Sequence, residues 1–470
     1  RADDIPLDLI EGVGVQVVGV VSEKRSTWRH WNLWAEASRQ TMGWRFISSE
    51  DREAVVAMVV DAAKSQSLPL TPPELAFSPE EFRRDDDTTV FRPRHSVVFT
   101  SADLLAAEDR LLRRAEATDA PMLDLDALER VTGERGHLLS SEQAEALARI
   151  AVSGRQVDLL VGPAGAGKTT AMRALHDAWT SEHGAGSVVG LAPSAVAAQV
   201  LADDLGAPCE NTAKWLHSHD RGAATFRPGQ LVIIDEATLA GTMSLDRLTA
   251  LATDAGAKML LVGDWAQLQS VDAGGAFALL ASARPDTPEL TDVQRFTHEW
   301  EKLASLDLRF GRTDVIATYL GHDRVREGAT TEMIDTAYAA WRADVRAGMG
   351  SVLVTDASHS VIELNQRARA ERLLDGDTVA GSEVLLADGT QASEGDAVIT
   401  RRNDRRLHTR RGGWVRNGDR WQVTGVNQDG SLRVQRLGQG SGGEVVLPAS
   451  YVAEHLDLGQ VHVLGAHLHD

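Results

Sequence analysis

Cysteine occurs once in the 470 residues, at Cys209. A single thiol excludes a disulfide framework and any thiolate metal cluster built within the chain, and it fits a reducing cytoplasm. Long apolar runs are missing as well. None approaches the ~20 residues that a membrane-spanning helix needs, and no secretory leader pattern opens the sequence. Lysine is scarce, confined to positions 24, 64, 168, 214, 258 and 302, so a lysine inside a motif carries information. Basic residues are outnumbered, 48 Lys and Arg against 68 Asp and Glu, for a net charge of −20. That balance excludes a histone-like nucleic-acid coat while leaving room for a local basic channel. The first residue is Arg1 rather than Met, so a segment of a longer protein is expected.

What is present is the profile of a soluble globular chain, 43% hydrophobic and 25% charged, long enough for several domains. Residues 1–135 read as mainly helical. Trp28, Trp31 and Trp34 recur at three-residue spacing, which predicts one helical face, read as a core or docking face ahead of base stacking. A helical pattern from Ser48 to Leu68 ends before Pro72 and Pro73. Another follows Ser101, with Leu104, Leu105, Leu111 and Leu112 on a stripe. Within 136–283 the texture changes. Apolar runs at 157–161, 188–192, 231–234 and 259–262, each followed by a turn and a helical stretch, predict βαβ units and a parallel sheet. Residues 284–376 read as a further α/β part, with a strand at 352–354 and a helix through 361–374. Residues 377–450, rich in short β-prone runs and Gly/Asp turns, read as a small barrel or sandwich insertion, and 451–470 as a return to the preceding part.

The strongest signal is Gly162, Pro163, Ala164, Gly165, Ala166, Gly167, Lys168 and Thr169, with Thr170 beside them, between a predicted strand and a predicted helix. Small residues let backbone N–H groups curl round phosphates. Lys168 would reach the β- and γ-phosphates, and the Thr169 hydroxyl would hold Mg²⁺. The fold class is therefore α/β, a P-loop NTPase binding ATP. An apolar strand then delivers Asp235 and Glu236, the first placed for Mg²⁺ and the second to polarise an attacking water. At the end of another strand Gly263, Asp264, Trp265, Ala266, Gln267 and Leu268 place an acid and an amide where a γ-phosphate can be sensed. Upstream, Ser140 and Gln143 fit a capping box, and Gln143 equally suits reading an adenine edge.

The order of these segments, with Ala192-Pro193-Ser194, Asn211-Thr212, Trp215 and Val293-Gln294-Arg295-Phe296, resembles a superfamily 1 helicase of the RecD-like branch. More narrowly, the stretch around Ser26 to Asn32 and the run from Thr400 to Arg405 resemble the helicase portion of MobF (TraI/TrwC-type) conjugative relaxases. The resemblance implies two RecA-like lobes with ATP between them, a helical N-terminal region, a small β-barrel inserted in the second lobe, and single-stranded DNA as partner, alongside other conjugation proteins. It makes Lys168, Glu236, Gln267 and Arg295 the catalytic set, Arg295 reaching the γ-phosphate; a surface arginine after a strand is the plainer alternative. Ser194 and Thr212 correspond to DNA-contacting stretches. Trp215 suits either base stacking or a buried helix anchor. Arg401, Arg402, Arg405, Arg406, Arg410, Arg411, Arg416 and Arg420, interleaved with Trp414 and Trp421, suit either a strand-guiding surface or a solvated face.

Two departures shape the expectation. After Gly459 the late Gln-Gly motif of that family is missing and the tail diverges, so truncation is expected and motor coupling is in doubt. The three tyrosines, Tyr319, Tyr338 and Tyr451, lie far from the start, and His467 and His469 fall in the divergent tail, so no nicking of DNA is expected. The alternatives to a translocating helicase segment are a degenerate ATP- and DNA-binding module without motor activity and a stand-alone RecD-like repair helicase.

Overall fold

The computed structural model describes residues 2–73, 78–85, 88–124, 126, 139–267, 270, 272–355, 357–376, 381–409, 413–437, 443–459 and 462–463. The chain divides into two compact units, residues 1–312 and 313–470.

The first unit opens with three packed helices, α1 (Leu7–Lys24), α2 (His30–Gln40) and α3 (Ser49–Ser65). Their shared core holds Ile10, Val17, Leu33, Val55 and Val59. Ser48 caps α3 by accepting from the Asp51 N–H. Two short antiparallel strands, β1 (Leu68–Pro69) and β2 (Phe99–Thr100), lead to α4 (Ala102–Glu116). The tryptophan expectation needs correction. Trp28 is not on a helix: its N–H and C=O bond to Phe99 at 2.9 and 2.8 Å, and α2 starts only after Arg29. Trp28 is therefore buried at 2% exposure while Trp31 faces solvent at 61%. The strand pairing, a long-range contact, overrides the local spacing.

The centre of the unit is a parallel sheet of β3 (Val157–Val161), β4 (Val188–Ala192), β5 (Cys209–Asn211), β6 (Leu231–Ile234) and β7 (Lys258–Gly263), in the order β3-β7-β6-β4-β5. Every residue of β3, β6 and β7 is buried, as strands covered on both faces require. Helices α5 (Ser141–Val152), α6 (Lys168–His183), α7 (Ala195–Leu205), α8 (Thr212–Asp220), α9 (Thr242–Asp254) and α10 (Ala276–Ala283) accompany it. Only β5 escapes the apolar-run criterion, being three half-buried residues on an edge. The N-terminal helices are tied in through α4: Arg110 and Arg114 each reach Asp246 of α9 at 2.7 Å. A buried Lys258–Asp158 pair at 2.8 Å pins the starts of β7 and β3. Pro288 and Leu290 hydrogen-bond to Val161, so residues 284–312, including α11 (Glu299–Arg309), fall within this unit.

The second unit carries α12 (Val315–Gly321), α13 (Thr330–Arg346) and α14 (Ser358–Asp375). Between the last two lies β8 (Val354–Thr355). The strands β9 (Val384–Leu385) and β10 (Gln391–Ala392) pair antiparallel. An antiparallel sheet follows, formed from β11 (Ala397–Thr400), β14 (Arg420–Val426), β15 (Leu432–Arg436), β16 (Glu444–Leu447) and β17 (Leu456–Leu458), in the order β16-β15-β14-β11-β17. A ribbon of β12 (Asp404–His408) and β13 (Trp414–Val415) projects between β11 and β14 in sequence. Helix α15 (Ala449–His455) precedes β17, and β18 (His462–Val463) pairs parallel with β8. Its core is built on Val398, Trp421, Val423, Leu432 and Val434. Among the described residues no helix is long and apolar enough to cross a membrane.

Candidate functional site

β3 ends at Val161, and residues 162–167 turn the chain into α6. Gly165 at φ 86° and Gly167 at φ 78° lie in the left-handed region, which a side chain would strain. Space forbids one too: a Cβ on Gly165 would sit 2.7 Å from Arg295 Cβ, and one on Gly167 only 2.1 Å from Gln143 Nε2. Arg295 is held beside the loop by the Gln294 N–H, which donates to Gly165 O at 2.8 Å. The capping box is formed, with Gln143 N–H on Ser140 Oγ and Ser140 N–H on Gln143 Oε1. The other end of the Gln143 amide donates to Ala166 O and Gly167 O at 3.4 and 3.3 Å, so both ends of the group are in use.

No side chain caps the start of α6. The N–H groups of Lys168, Thr169 and Thr170, in its first turn, lack intrahelical acceptors and sit at the positive end of the helix dipole. The Thr169 and Thr170 side chains are exposed, Pro163 and Ala166 buried. Lys168 Nζ donates to Gly162 O at 2.6 Å and Pro163 O at 3.1 Å. Burial holds its pKa below the usual lysine value, opposed by the charges of Glu236, Asp235 and Asp264. These three carboxylates reach the lysine because of strand order. β7 lies between β3 and β6, so Asp235 after β6, Asp264 after β7 and the loop after β3 leave the same edge of the sheet.

Burial pushes the Asp235 carboxyl up to about 6, with the Glu236 charge adding to the rise and the Glu236 N–H and Lys168 opposing it. Glu236 adopts φ 51°, ψ 40°, a left-handed conformation uncommon for a residue with a side chain and of the kind that marks functional turns. The chemistry of this donor set suits a magnesium–triphosphate: hard oxygen ligands on Thr169 and Asp235, and amides and an ammonium for the phosphates.

Asp264 is 2% exposed and receives Arg309 at 2.9 Å, the Ala266 N–H at 3.1 Å and the Gln267 amide at 3.4 Å. Arg309 also reaches Glu289 at 2.9 Å and lies over the Trp265 ring at 5.1 Å. The sequence reading missed Arg309. No spacing announces it, because its partners are distant in the chain. Leu268 lies outside the described residues.

Trp215 is 7% exposed and stacks on Phe226 at 3.9 Å, which makes it a buried helix anchor and not a free stacking platform. Thr212 is buried as well. The Asn211 amide donates to Pro193 O at 2.6 Å, joining the two stretches that the resemblance assigns to DNA contact. In the second unit the arginine cluster splits. Arg401, Arg402, Arg405 and Arg406 are exposed, Arg416 is buried and Arg420 half-buried. Arg405 lies over Trp414 at 4.7 Å, while Trp421 is fully buried. Arg410, Arg411, His467 and His469 lie outside the described residues.

A family profile described as an AAA domain matches residues 138–330, and one described as the Rv2311 SH3-like barrel domain matches residues 384–457. A probable conjugal transfer protein TraA of Sinorhizobium fredii is 32% identical over 294 residues, covering 62% of this chain and 26% of the relative. A conjugal transfer protein TraA of Agrobacterium fabrum is 29% identical over 362 residues, covering 75% of this chain and 32% of the relative. The ATP-dependent RecD2 DNA helicase of Deinococcus radiodurans is 37% identical over 166 residues, covering 33% of this chain and 22% of its own length. The chain thus spans about a quarter to a third of the length of the conjugal transfer proteins it matches.

Proposed function

Because this chain carries a RecD-like helicase region related to those of conjugative relaxases, we propose that it is an ATP-driven segment that translocates along single-stranded DNA. The observation that carries this reading is the gathering of a left-handed glycine loop, Lys168, Asp235 and Glu236 at one edge of a parallel sheet. The N–H groups of Lys168, Thr169 and Thr170 at the start of α6 would cradle the phosphates of ATP, and the Lys168 ammonium would neutralise them. Thr169 and Asp235 would hold magnesium, whose chemistry there would be to supply positive charge to the phosphate oxygens. Glu236 orients the attacking water and accepts its proton. Gln267, held through Asp264, would sense the loss of a phosphate through its hydrogen bonds. Arg295, which lies against Gly165 and is exposed, would offer its cationic fork to charge that develops on the transferred group.

For the strand itself, Arg405 and Arg406 with the Trp414 ring combine backbone attraction with a face on which a base stacks. The proposed setting is the cytoplasm, with other conjugation proteins as further partners. The test is ATP hydrolysis by the purified chain with and without single-stranded DNA. DNA-stimulated turnover supports the motor; silence with intact nucleotide binding replaces it by a binding module.

A further inference from the structure

A cavity of about 270 Å³ in the second unit is lined by residues of α13, α14, β11 and β14, among them Trp341, Arg342, Arg372, Arg420 and Gln422. Three guanidinium groups therefore border one small space. Two of them are matched locally. Arg342 pairs with Glu371 at 3.0 Å and with Asp375, and Arg372 donates to Gly395 O and lies 4.0 Å from Asp396. Arg420 differs. It is half-buried, and its Nε is buried with no hydrogen-bond partner among the described residues. Burial alone pulls its pKa down from the usual arginine value.

A guanidinium nitrogen buried without a hydrogen-bond partner destabilises the fold that holds it. Folds retain such groups where a ligand completes them. The planar fork matches the oxygens of a tetrahedral oxyanion, and the Trp341 wall, 6% exposed, gives an attached organic group an apolar face. Arg420, at the start of β14, thereby stands apart from the exposed arginines 401–406 and forms part of the cavity wall.

We propose that this cavity binds a phosphoryl group through Arg420, with Gln422 and Arg372 beside it and Trp341 against the organic part. One chemistry has two sources, a free phosphate or phosphate monoester and the phosphodiester of a single strand. None of its lining residues belongs to the glycine-rich loop that follows β3.

The experiment uses the full chain with Mg-ADP saturating that loop, so that failure here leaves the nucleotide reading untouched. Calorimetric titration with inorganic phosphate and with a short oligothymidylate compares wild type with Arg420→Met and Arg420→Lys. Loss of at least tenfold in phosphate affinity in both variants establishes the free-phosphate source. The same loss for oligothymidylate alone establishes the phosphodiester. Unchanged affinity for both probes overturns the proposal. Thermal unfolding without ligand gives a second reading: Arg420→Met should melt at or above the wild-type temperature, since it removes an uncompensated charge. A clear drop in melting temperature, with Arg420→Lys binding both probes as wild type does, makes Arg420 a structural residue and also overturns it.

Discussion

Arg309 and Asp264, 45 positions apart in the chain, meet at 2.9 Å with 7% and 2% of their side chains exposed. Asp264 in turn holds the Gln267 amide, and Arg309 covers Trp265, so one buried ion pair engages residues 264–267 after β7.

Removing one partner of such a pair strands the other charge. Arg309→Met should cost about 3–5 kcal/mol, and Asp264→Asn less, because Arg309 keeps Glu289. A double-mutant cycle by urea unfolding should show a coupling above about 1 kcal/mol. Simple additivity of the two losses would mean that the pair does not hold the turn.

Lys168 is half-buried, and its ammonium donates to the carbonyls of Gly162 and Pro163. Lys168→Ala should weaken Mg-ADP binding by about 10- to 100-fold, the equivalent of one charged hydrogen bond of roughly 1.5–3 kcal/mol. Its melting temperature should not fall, because a buried ammonium is lost with few contacts. Titration calorimetry beside a melting curve reads both; full affinity in this variant would remove the loop from the nucleotide site.

The raised carboxyl of Asp235 predicts a pH dependence. Its folded pKa of about 6 lies above the usual 3.8, so folding favours the protonated form. The stability it contributes is complete below 3.8 and lost as pH rises through about 6. Magnesium needs the carboxylate, so metal-dependent nucleotide binding should decline below about pH 6, by up to one decade per pH unit. Asp235→Asn should abolish that slope. A slope that persists in the variant assigns the titration to another group.

Arg405 and Arg406 are exposed on the β12 ribbon. Replacing both with alanine should reduce the slope of log affinity against log salt for oligothymidylate by about 1.4, near 0.7 per lost contact. An unchanged slope returns the pair to a solvated face.

Parts of this molecule are legible because local chemistry dictates them. The glycines at 165 and 167, the capping box at Ser140, and the apolar runs that become β3, β4, β6 and β7 follow from φ preferences, hydrogen-bond geometry and burial on both sheet faces. The antiparallel strands from Val384 onward also fall where the Gly/Asp turns predict them, between 377 and 450, with β17 just beyond. Trp28 and Trp215 are different. The spacing of one and the neighbourhood of the other suit two roles each, and only pairing with Phe99 and stacking on Phe226 assign them.

Residue order alone determined that a glycine-rich loop ending in Lys168 and Thr169, two acids after an apolar strand and a further acid–amide turn exist, since each is a short segment with its own backbone requirement. Tertiary structure decided that strand β7 lies between the other two and brings all three segments to one lysine, that Arg309 closes on Asp264, and that Arg420 is left facing a cavity. The reason is that strand order, ion pairing across 45 residues and the loss of solvent at a side chain depend on which distant surfaces pack together, and no local pattern carries that information.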